Sequence, residues 1–226
     1  MAESSSHPGI LHRIQRSTSK SNTGAPLIAF EHELGTDPSS TLIFLGGLFD
    51  GLSTVSYVSA LASRLTSGWR LVEPILSSSY RQWGISSLDD DVTEIADLVR
   101  HFKKTGSKIV LLGHSTGCQM IMHFLLNPLS RAEHGRQKVE GAILQASVSD
   151  REALVMLLSK DEYGDVCNTA QRYINDGMAG EVLPQHCTSN IFGGPTPITA
   201  RRLISIASPG PDHAGEVGFF VPCILR

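Results

Sequence analysis

A serine between two glycines is the residue of this sequence best suited to covalent chemistry. Ser115 is the centre of a Gly-x-Ser-x-Gly pattern at residues 113–117, and four consecutive apolar residues at 109–112 precede it. After it, Met120 and Phe124 fall at helical spacing. A serine on such a strand-to-helix turn is typical of a nucleophile elbow, which lifts the hydroxyl above the edge of a sheet. The pattern therefore predicts that Ser115 attacks a carbonyl carbon; a glycine-rich turn with an incidental serine is the alternative.

Two backbone N–H groups are predicted to stabilise the oxyanion that such an attack creates. The N–H of Thr116 lies at the start of the predicted helix, where backbone donors favour negative charge. The turn Gly46-Gly47-Leu48 follows an early predicted strand, the position from which elbow enzymes present their second donor. We therefore expect the N–H of Leu48 to be that donor; an ordinary tight turn is the alternative.

Acyl transfer by a serine also needs a base and an acid that orients it. In enzymes with this elbow, the acid and then the base follow the serine along the chain. Asp150 directly follows a predicted strand, and His213 comes last, so the order Ser115, Asp150, His213 is permissible. The alternatives are a helix N-cap for Asp150 and an exposed loop position for His213.

The remaining histidines near or after the serine fit structural or solvated roles better than a catalytic one. His123 and His134 precede the strand that should carry the acid, and His186 lies in a predicted helical region. The ring of His114 should point away from the substrate and pack under the turn, because adjacent residues of an elbow diverge.

The segment at residues 80–84, Tyr-Arg-Gln-Trp-Gly, follows another predicted strand. It would line the mouth of a pocket or form an ordinary surface loop, and the sequence favours neither. Within it, Arg81 would suit an anionic group of a substrate.

Strand and helix patterns alternate between residues 41 and 146, which predicts a mostly parallel sheet with helices on both faces. A hairpin is predicted before them, and from residue 150 the pattern changes to helices, which indicates a helical cap over about 150–207. The predicted strands are 9–16, 27–33, 41–45, 69–74, 109–112 and 139–146, and the predicted helices are 52–65, 88–104, a helix after residue 117, 151–159, 166–178 and 199–207.

Composition limits the classes of protein to which the chain could belong. With 226 residues, 41% hydrophobic and 18% charged, one domain over residues 9–226 is expected after a disordered tail at 1–8. The net charge of −3, without a basic stripe, argues against a nucleic-acid partner. No apolar run has the length of a signal peptide core or a membrane span, so a cytoplasmic protein is expected.

The four cysteines lack the spacing of a metal site. Cys118, Cys167, Cys187 and Cys223 are scattered without a Cys-x-x-Cys pair, so we expect four reduced thiols rather than bound zinc. No metal and no cofactor are predicted, and the expected partner is a small-molecule ester substrate.

Several segments together resemble a known family more specifically than the elbow alone. They are GILH at 9–12, FE at 30–31, FLGGLFDGL at 44–52, SYRQWG at 79–84, GHSTG at 113–117 and SDREA at 149–153. In combination, from about residue 9 to about residue 208, the chain resembles a family of fungal and plant α/β-hydrolase-like proteins whose best-described members are the fusarinine C esterases. The resemblance implies an intracellular serine esterase of the α/β-hydrolase fold that opens ester bonds of hydroxamate siderophores and releases iron.

The resemblance ends before the sequence does. Members of that family continue with a strand, an acidic loop, a last strand and a histidine loop, whereas this sequence stops at Arg226. The expectation is therefore that the last strands are missing, that His213 has no counterpart, and that an exposed sheet edge promotes oligomerisation. Two other functions stay open: a catalytically impaired binding or regulatory protein, and an acyltransferase or thioesterase.

Overall fold

The computed structural model describes residues 7–17, 25–32, 38–126, 138–191 and 196–207. Within these residues, six strands form one sheet in the order β1-β2-β4-β3-β5-β6. The strands β3 to β6 are parallel, and β1 and β2 form an antiparallel hairpin at one side. Their bounds are Gly9–Ile14 (β1), Leu27–His32 (β2), Ser40–Leu45 (β3), Trp69–Ile75 (β4), Lys108–His114 (β5) and Gly141–Gln145 (β6).

The central pair β3 and β5 sets the position of the site. Every residue of β3 is buried, as expected for a short apolar strand covered on both faces. In the parallel register Leu45 lies opposite Gly113, at the ends of the two strands. The glycine turn after β3 and Ser115 after β5 therefore leave the sheet side by side at its carboxyl edge.

Helices cover both faces of this sheet, as the sequence predicts. Residues of α2 and α3 join one buried apolar cluster with the sheet, and residues of α1 join another. The bounds are Val58–Ala62 (α1), Leu88–Lys103 (α2), Gly117–Leu126 (α3), Asp150–Leu157 (α4), Lys160–Asn175 (α5), Gln185–Thr188 (α6) and Ala200–Ala207 (α7), with a 3₁₀ turn at Gln82–Gly84. In the described ranges, no helix combines the length and the apolar character that crossing a bilayer requires.

The helix predicted over residues 52–65 is wrong in its first half, because α1 spans only Val58–Ala62. Ser53 adopts a left-handed φ of 59°, which no α-helix tolerates. Its N–H donates to the buried Glu73 Oε2 at 3.3 Å. Tertiary hydrogen bonding thus overrides the helical spacing of the apolar residues in this stretch.

The predicted helical region after residue 150 is present as α4 to α7. It has its own apolar cluster, which also contains Trp83 from the loop after β4. The loop and this region touch directly: Thr199 N–H donates to the Gly84 oxygen at 2.9 Å, and a Cβ on Gly84 would lie 2.2 Å from the Pro197 oxygen. The short helix α6 was not predicted from the sequence.

Candidate active site

Ser115 occupies a strained turn between β5 and α3. Its φ is 54°, in the left-handed region that residues other than glycine rarely adopt. The glycines around it allow the strand and the helix to approach: a Cβ on Gly113 would lie 2.6 Å from the Gly117 oxygen, and one on Gly117 would lie 2.1 Å from the Leu45 oxygen. This is the backbone geometry of a nucleophile elbow.

The glycine turn after β3 lies directly against this serine. A Cβ on Gly47 would be 2.9 Å from the Ser115 Cβ, so only glycine fits there without displacing the serine. The Gly47 N–H donates to Asp50 Oδ2 at 2.7 Å. Among the described residues, the N–H groups of Leu48 and Thr116 have no hydrogen-bond acceptor. Two backbone donors near Ser115 are therefore available to a ligand.

Asp50 holds the turn in place. Besides the Gly47 N–H, its carboxylate accepts from Thr54 Oγ1 at 3.1 Å, and its backbone oxygen accepts from the Tyr80 N–H at 2.8 Å. Tyr80 is itself left-handed, with φ at 61°. These bonds tie the loop after β3 to the loop after β4, so the two loops form one wall of the site.

The ring of His114 packs against Tyr57; that it points away from the substrate stays a prediction. Its ring meets Tyr57 edge-on at 6.1 Å between centroids, and its Nδ1 is 3.7 Å from Asp50 Oδ2, too far for a hydrogen bond. Burial raises the pKa of the Tyr57 hydroxyl, and the Asp50 charge adds to this effect. Tyr57 also hydrogen-bonds Gln145 on β6, so it links the start of α1 to the strand next to β5.

A small cavity of about 30 Å³ opens behind the glycine turn. Its lining joins the turn and Thr116 to Ser79 and Trp83 of the loop after β4. Residues 80–84 were predicted either to line a pocket or to form a surface loop. Trp83 is buried and lines the cavity, whereas Arg81 lies exposed at the start of the 3₁₀ turn.

Asp91 of α2 and Arg202 of α7 also line this cavity, and both are buried. Burial raises the pKa of the Asp91 carboxyl to about 7, against the opposing hydrogen bonds of Ser78 and the charge of Arg202. Arg202 Nε donates to the Trp83 oxygen at 3.1 Å. A residue of the helical region thus reaches into the wall of the site.

Asp150 is the first residue of α4 and is buried. The alternative prediction of an N-cap is wrong, because Ser149 is the N-cap and accepts from the Glu152 N–H. His213, the predicted base, lies outside the described residues, so the pairing of Asp150 with His213 stays a prediction. In the part of the chain that the structure describes, no histidine hydrogen-bonds the Ser115 hydroxyl.

The other histidines lie away from the serine. His123 is buried in α3 and contacts Asp89 of α2, with Nε2 and Oδ1 2.8 Å apart, a structural link between two helices. His186 is exposed in α6. His134 lies outside the described residues. The structural or solvated roles expected for His123 and His186 agree with these positions.

Cysteines and metal ligands add no further centre in the described ranges. Cys118, Cys167 and Cys187 are free thiols, and Cys223 lies outside those ranges. Within them no group of three or more His, Cys, Asp or Glu side chains could hold a metal ion. The buried Cys118 thiol contacts the Gly113 and Gln145 oxygens beneath the elbow.

Sequence reasoning missed Asp50, Asp91 and Arg202 as parts of the site. Asp91 stands in the run Asp89-Asp90-Asp91 in the first turn of α2, where acidic residues are expected simply because they favour the helix dipole. A signal was present, since Asp91 shares the apolar face of α2 with Ile95 and Leu98, four and seven positions on. For Arg202, no local pattern reveals a contact with a loop more than 100 residues away.

Comparisons with known proteins agree with this architecture. A family model described as a protein of unknown function, DUF1749, matches residues 1–222. The fusarinine C esterase sidJ of Aspergillus fumigatus is 34% identical over 94% of this chain and 68% of its own length. An esterase of Emericella nidulans is 32% identical over 94% of this chain and 66% of its own length.

Solved structures give the same result for the fold. The siderophore hydrolase EstB of Aspergillus fumigatus matches with a TM-score of 0.70 and 36% identity, covering 92% of this chain and 66% of that one. An α/β-hydrolase fold protein of unknown function matches with a TM-score of 0.60 at 18% identity. The chain has the α/β-hydrolase fold, and it spans about two thirds of the length of these relatives.

Proposed function

The chain belongs to the DUF1749 family, and because it is also similar to two esterases, we propose that it is a serine esterase with Ser115 as its nucleophile. The observation that carries the proposal is the left-handed Ser115 with the Gly47 backbone packed against its Cβ. Strain of this kind persists where the surrounding structure enforces it, and it concentrates at functional sites.

The chemistry follows from the donors around the serine. Ser115 Oγ attacks the ester carbonyl carbon while a base takes its proton, and the carbonyl oxygen becomes an oxyanion that the N–H groups of Leu48 and Thr116 stabilise. The intermediate collapses, the alcohol leaves with a proton, and water hydrolyses the acyl-enzyme. Asp50 acts as a positioning residue, because its carboxylate accepts a hydrogen bond from the Gly47 N–H and thereby fixes the turn that presents Leu48.

The base and the acid of this reaction stay predictions. His213 is the proposed base and Asp150 its proposed acid, on the grounds of chain order alone. Replacing His213 by Ala tests the assignment: esterase activity equal to that of the wild type would remove His213 from the mechanism.

We propose ester bonds of hydroxamate siderophores as the substrate, with the iron chelate as the bound small molecule. The support is the similarity to a fusarinine C esterase and to a siderophore hydrolase. A cytoplasmic location and a role in releasing iron are parts of the same proposal. Association of two chains through the exposed edge of the sheet stays a prediction.

The test is hydrolysis of fusarinine C by the purified chain, with the linear products followed by mass spectrometry. The proposal expects products that accumulate with the wild type and not with Ser115→Ala. Equal hydrolysis by both proteins would contradict the role of Ser115. Binding of the siderophore without products would favour the impaired binding protein, and a new ester formed with an added alcohol would favour an acyltransferase.

A further inference from the structure

The cavity behind the glycine turn has an excess of acidic groups. The ionisable residues that line it are three acidic ones, Asp50, Glu73 and Asp91, and one basic one, Arg202. Glu73 and Asp91 are each more than nine-tenths buried. Because buried charges are weakly screened, such a lining favours a cationic ligand group over an anionic one.

Two of the three carboxyl groups already have partners for both of their oxygens. The contacts are His32 Nε2 and the Ser53 N–H on Glu73, at 2.6 and 3.3 Å, and the Gly47 N–H and Thr54 Oγ1 on Asp50, at 2.7 and 3.1 Å. These groups are held by the protein itself and do not call for a ligand.

Asp91 differs from them. It is 1% exposed, and among the described residues its Oδ1 has no hydrogen-bond partner, although Ser78 hydrogen-bonds the carboxyl. A buried acceptor left without a donor costs the free energy of its desolvation, about 1 to 3 kcal/mol. Proteins keep such an atom where a ligand or a water completes it. Asp91 Oδ1 is therefore the atom of this cavity that calls for a donor.

The size of the cavity restricts the donor. A volume of about 30 Å³ has room for a group of the size of one or two water molecules. An ammonium group is of that size, and a planar guanidinium with its five N–H groups is not.

We propose that this cavity is a subsite for a primary ammonium group of the ester substrate, with Asp91 Oδ1 accepting a hydrogen bond that an N–H of the ammonium donates. The subsite rests on the proposed esterase function, because the same cavity is lined by Thr116 and the glycine turn at the reacting centre. Esters that carry an amine at the correct distance from the carbonyl are then preferred over neutral esters of the same shape. Without the cation, burial raises the pKa of Asp91 to about 7, and a bound ammonium restores the carboxylate.

The experiment compares matched esters. A series of 4-nitrophenyl ω-aminoalkanoates of increasing length is paired with alkanoates in which a methyl group replaces the ammonium, and kcat/KM is measured for each pair. At one chain length we expect a preference for the amine of roughly tenfold or more, as for a hydrogen bond to a charged group. Asp91→Asn should bring that ratio close to one. Asp161→Asn, an exposed carboxylate on α5, is the matched control and should keep the ratio.

No preference at any chain length in the wild type would overturn the subsite, whether or not Asp91→Asn folds. An equal preference in the wild type and in Asp91→Asn would overturn it as well, and a cavity filled by water would remain. If neither ester of a pair is cleaved, the esterase function fails, and calorimetry with propylamine and with propanol decides the subsite separately. Amine binding that exceeds alcohol binding and is lost in Asp91→Asn supports it; equal binding of the two overturns it.

Discussion

At the amino-terminal ends of the parallel strands, Arg70 is surrounded by partners, whereas beyond their carboxyl ends the backbone is strained and, among the described residues, Asp91 Oδ1 has no hydrogen-bond partner. Arg70 donates to Glu31, Thr41 and Ser107, and its guanidinium lies 5.1 Å from the centre of the Phe102 ring. Glu31 has a second partner here, since His12 Nε2 lies 2.8 Å from Glu31 Oε2.

The carboxyl edge has the opposite character. Every non-glycine residue with positive φ in the described ranges follows the end of a parallel strand; they are Phe49, Ser53, Tyr80, Ser115 and Ala146. Asp91, whose Oδ1 has no hydrogen-bond partner among the described residues, lines the cavity at the same edge. Ligands of open α/β sheets bind at this edge. The difference teaches that the hydrogen bonds and the ion pair around Arg70 lie at one end of the sheet, whereas the strained residues lie at the other end, where the proposed substrate would bind.

Removing Arg70 should cause the largest loss of stability. Arg70→Ala leaves Glu31 buried without its cationic partner, and we expect a loss of about 3 kcal/mol in the free energy of unfolding by urea. Arg64→Ala is the control, because Arg64 is exposed on the surface beside α1, and it should change stability by less than about 0.5 kcal/mol. Similar losses in both variants would remove the contrast between the two ends.

Removing the charge of Asp91 should increase the free energy of unfolding, whereas removing Arg70 should lower it. Its pKa is raised in the folded state, so ionisation opposes folding and the cost develops as pH rises from 3.8 to about 7. Asp91→Asn should therefore stabilise the protein at pH 8 by an amount on the order of 2 kcal/mol and give no gain at pH 4. The check is urea unfolding at the two pH values, and destabilisation at pH 8 would contradict it.

Ionisation of Glu31 should stabilise the folded protein, whereas ionisation of Asp91 should destabilise it. Burial raises its pKa, but the His12 hydrogen bond and the Arg70 charge outweigh burial and hold the pKa below the ordinary 4.5. Its contribution is present above pH 4.5 and is lost as pH falls through the lowered value. Glu31→Gln should cost about 2 kcal/mol at pH 7. The difference from the wild type should shrink on acidification, as thermal unfolding at each pH will show; a difference independent of pH would contradict the ion pair.

Relieving the strain at Ser115 should give the smallest effect. Glycine adopts a φ of 54° without steric cost, so Ser115→Gly should be more stable than Ser115→Ala by about 1 kcal/mol. The measurement is the difference in Tm between the two variants. Equal values would mean that the elbow stores no strain.

Much of the fold could be predicted because its signals are local. The apolar run before Ser115 and the helical spacing after it fix the elbow, and the alternation of strands and helices fixes the parallel sheet. The end of the helix at residues 52–65 is correct to within a few residues, whereas its beginning is not, because Glu73 binds the backbone of Ser53 from another strand.

The polar part of the site depends on contacts between distant segments. Arg202 reaches Trp83 from the helical region, and only the packing of α7 against the loop after β4 brings them together. Asp91 is prominent in the structure because α2 turns it inward, not because its neighbours in sequence mark it. The assignment of Asp150 and His213 follows from their order along the chain, and this order does not determine how far apart their side chains lie.

The most direct test of the account is to locate the nucleophile. The wild-type chain is treated with a fluorophosphonate, digested and sequenced by tandem mass spectrometry, beside Ser115→Ala. We expect one phosphonylated residue, Ser115, and no adduct in the variant. A wild type that hydrolyses esters while Ser115 stays unmodified, or an adduct that survives in Ser115→Ala, would contradict it.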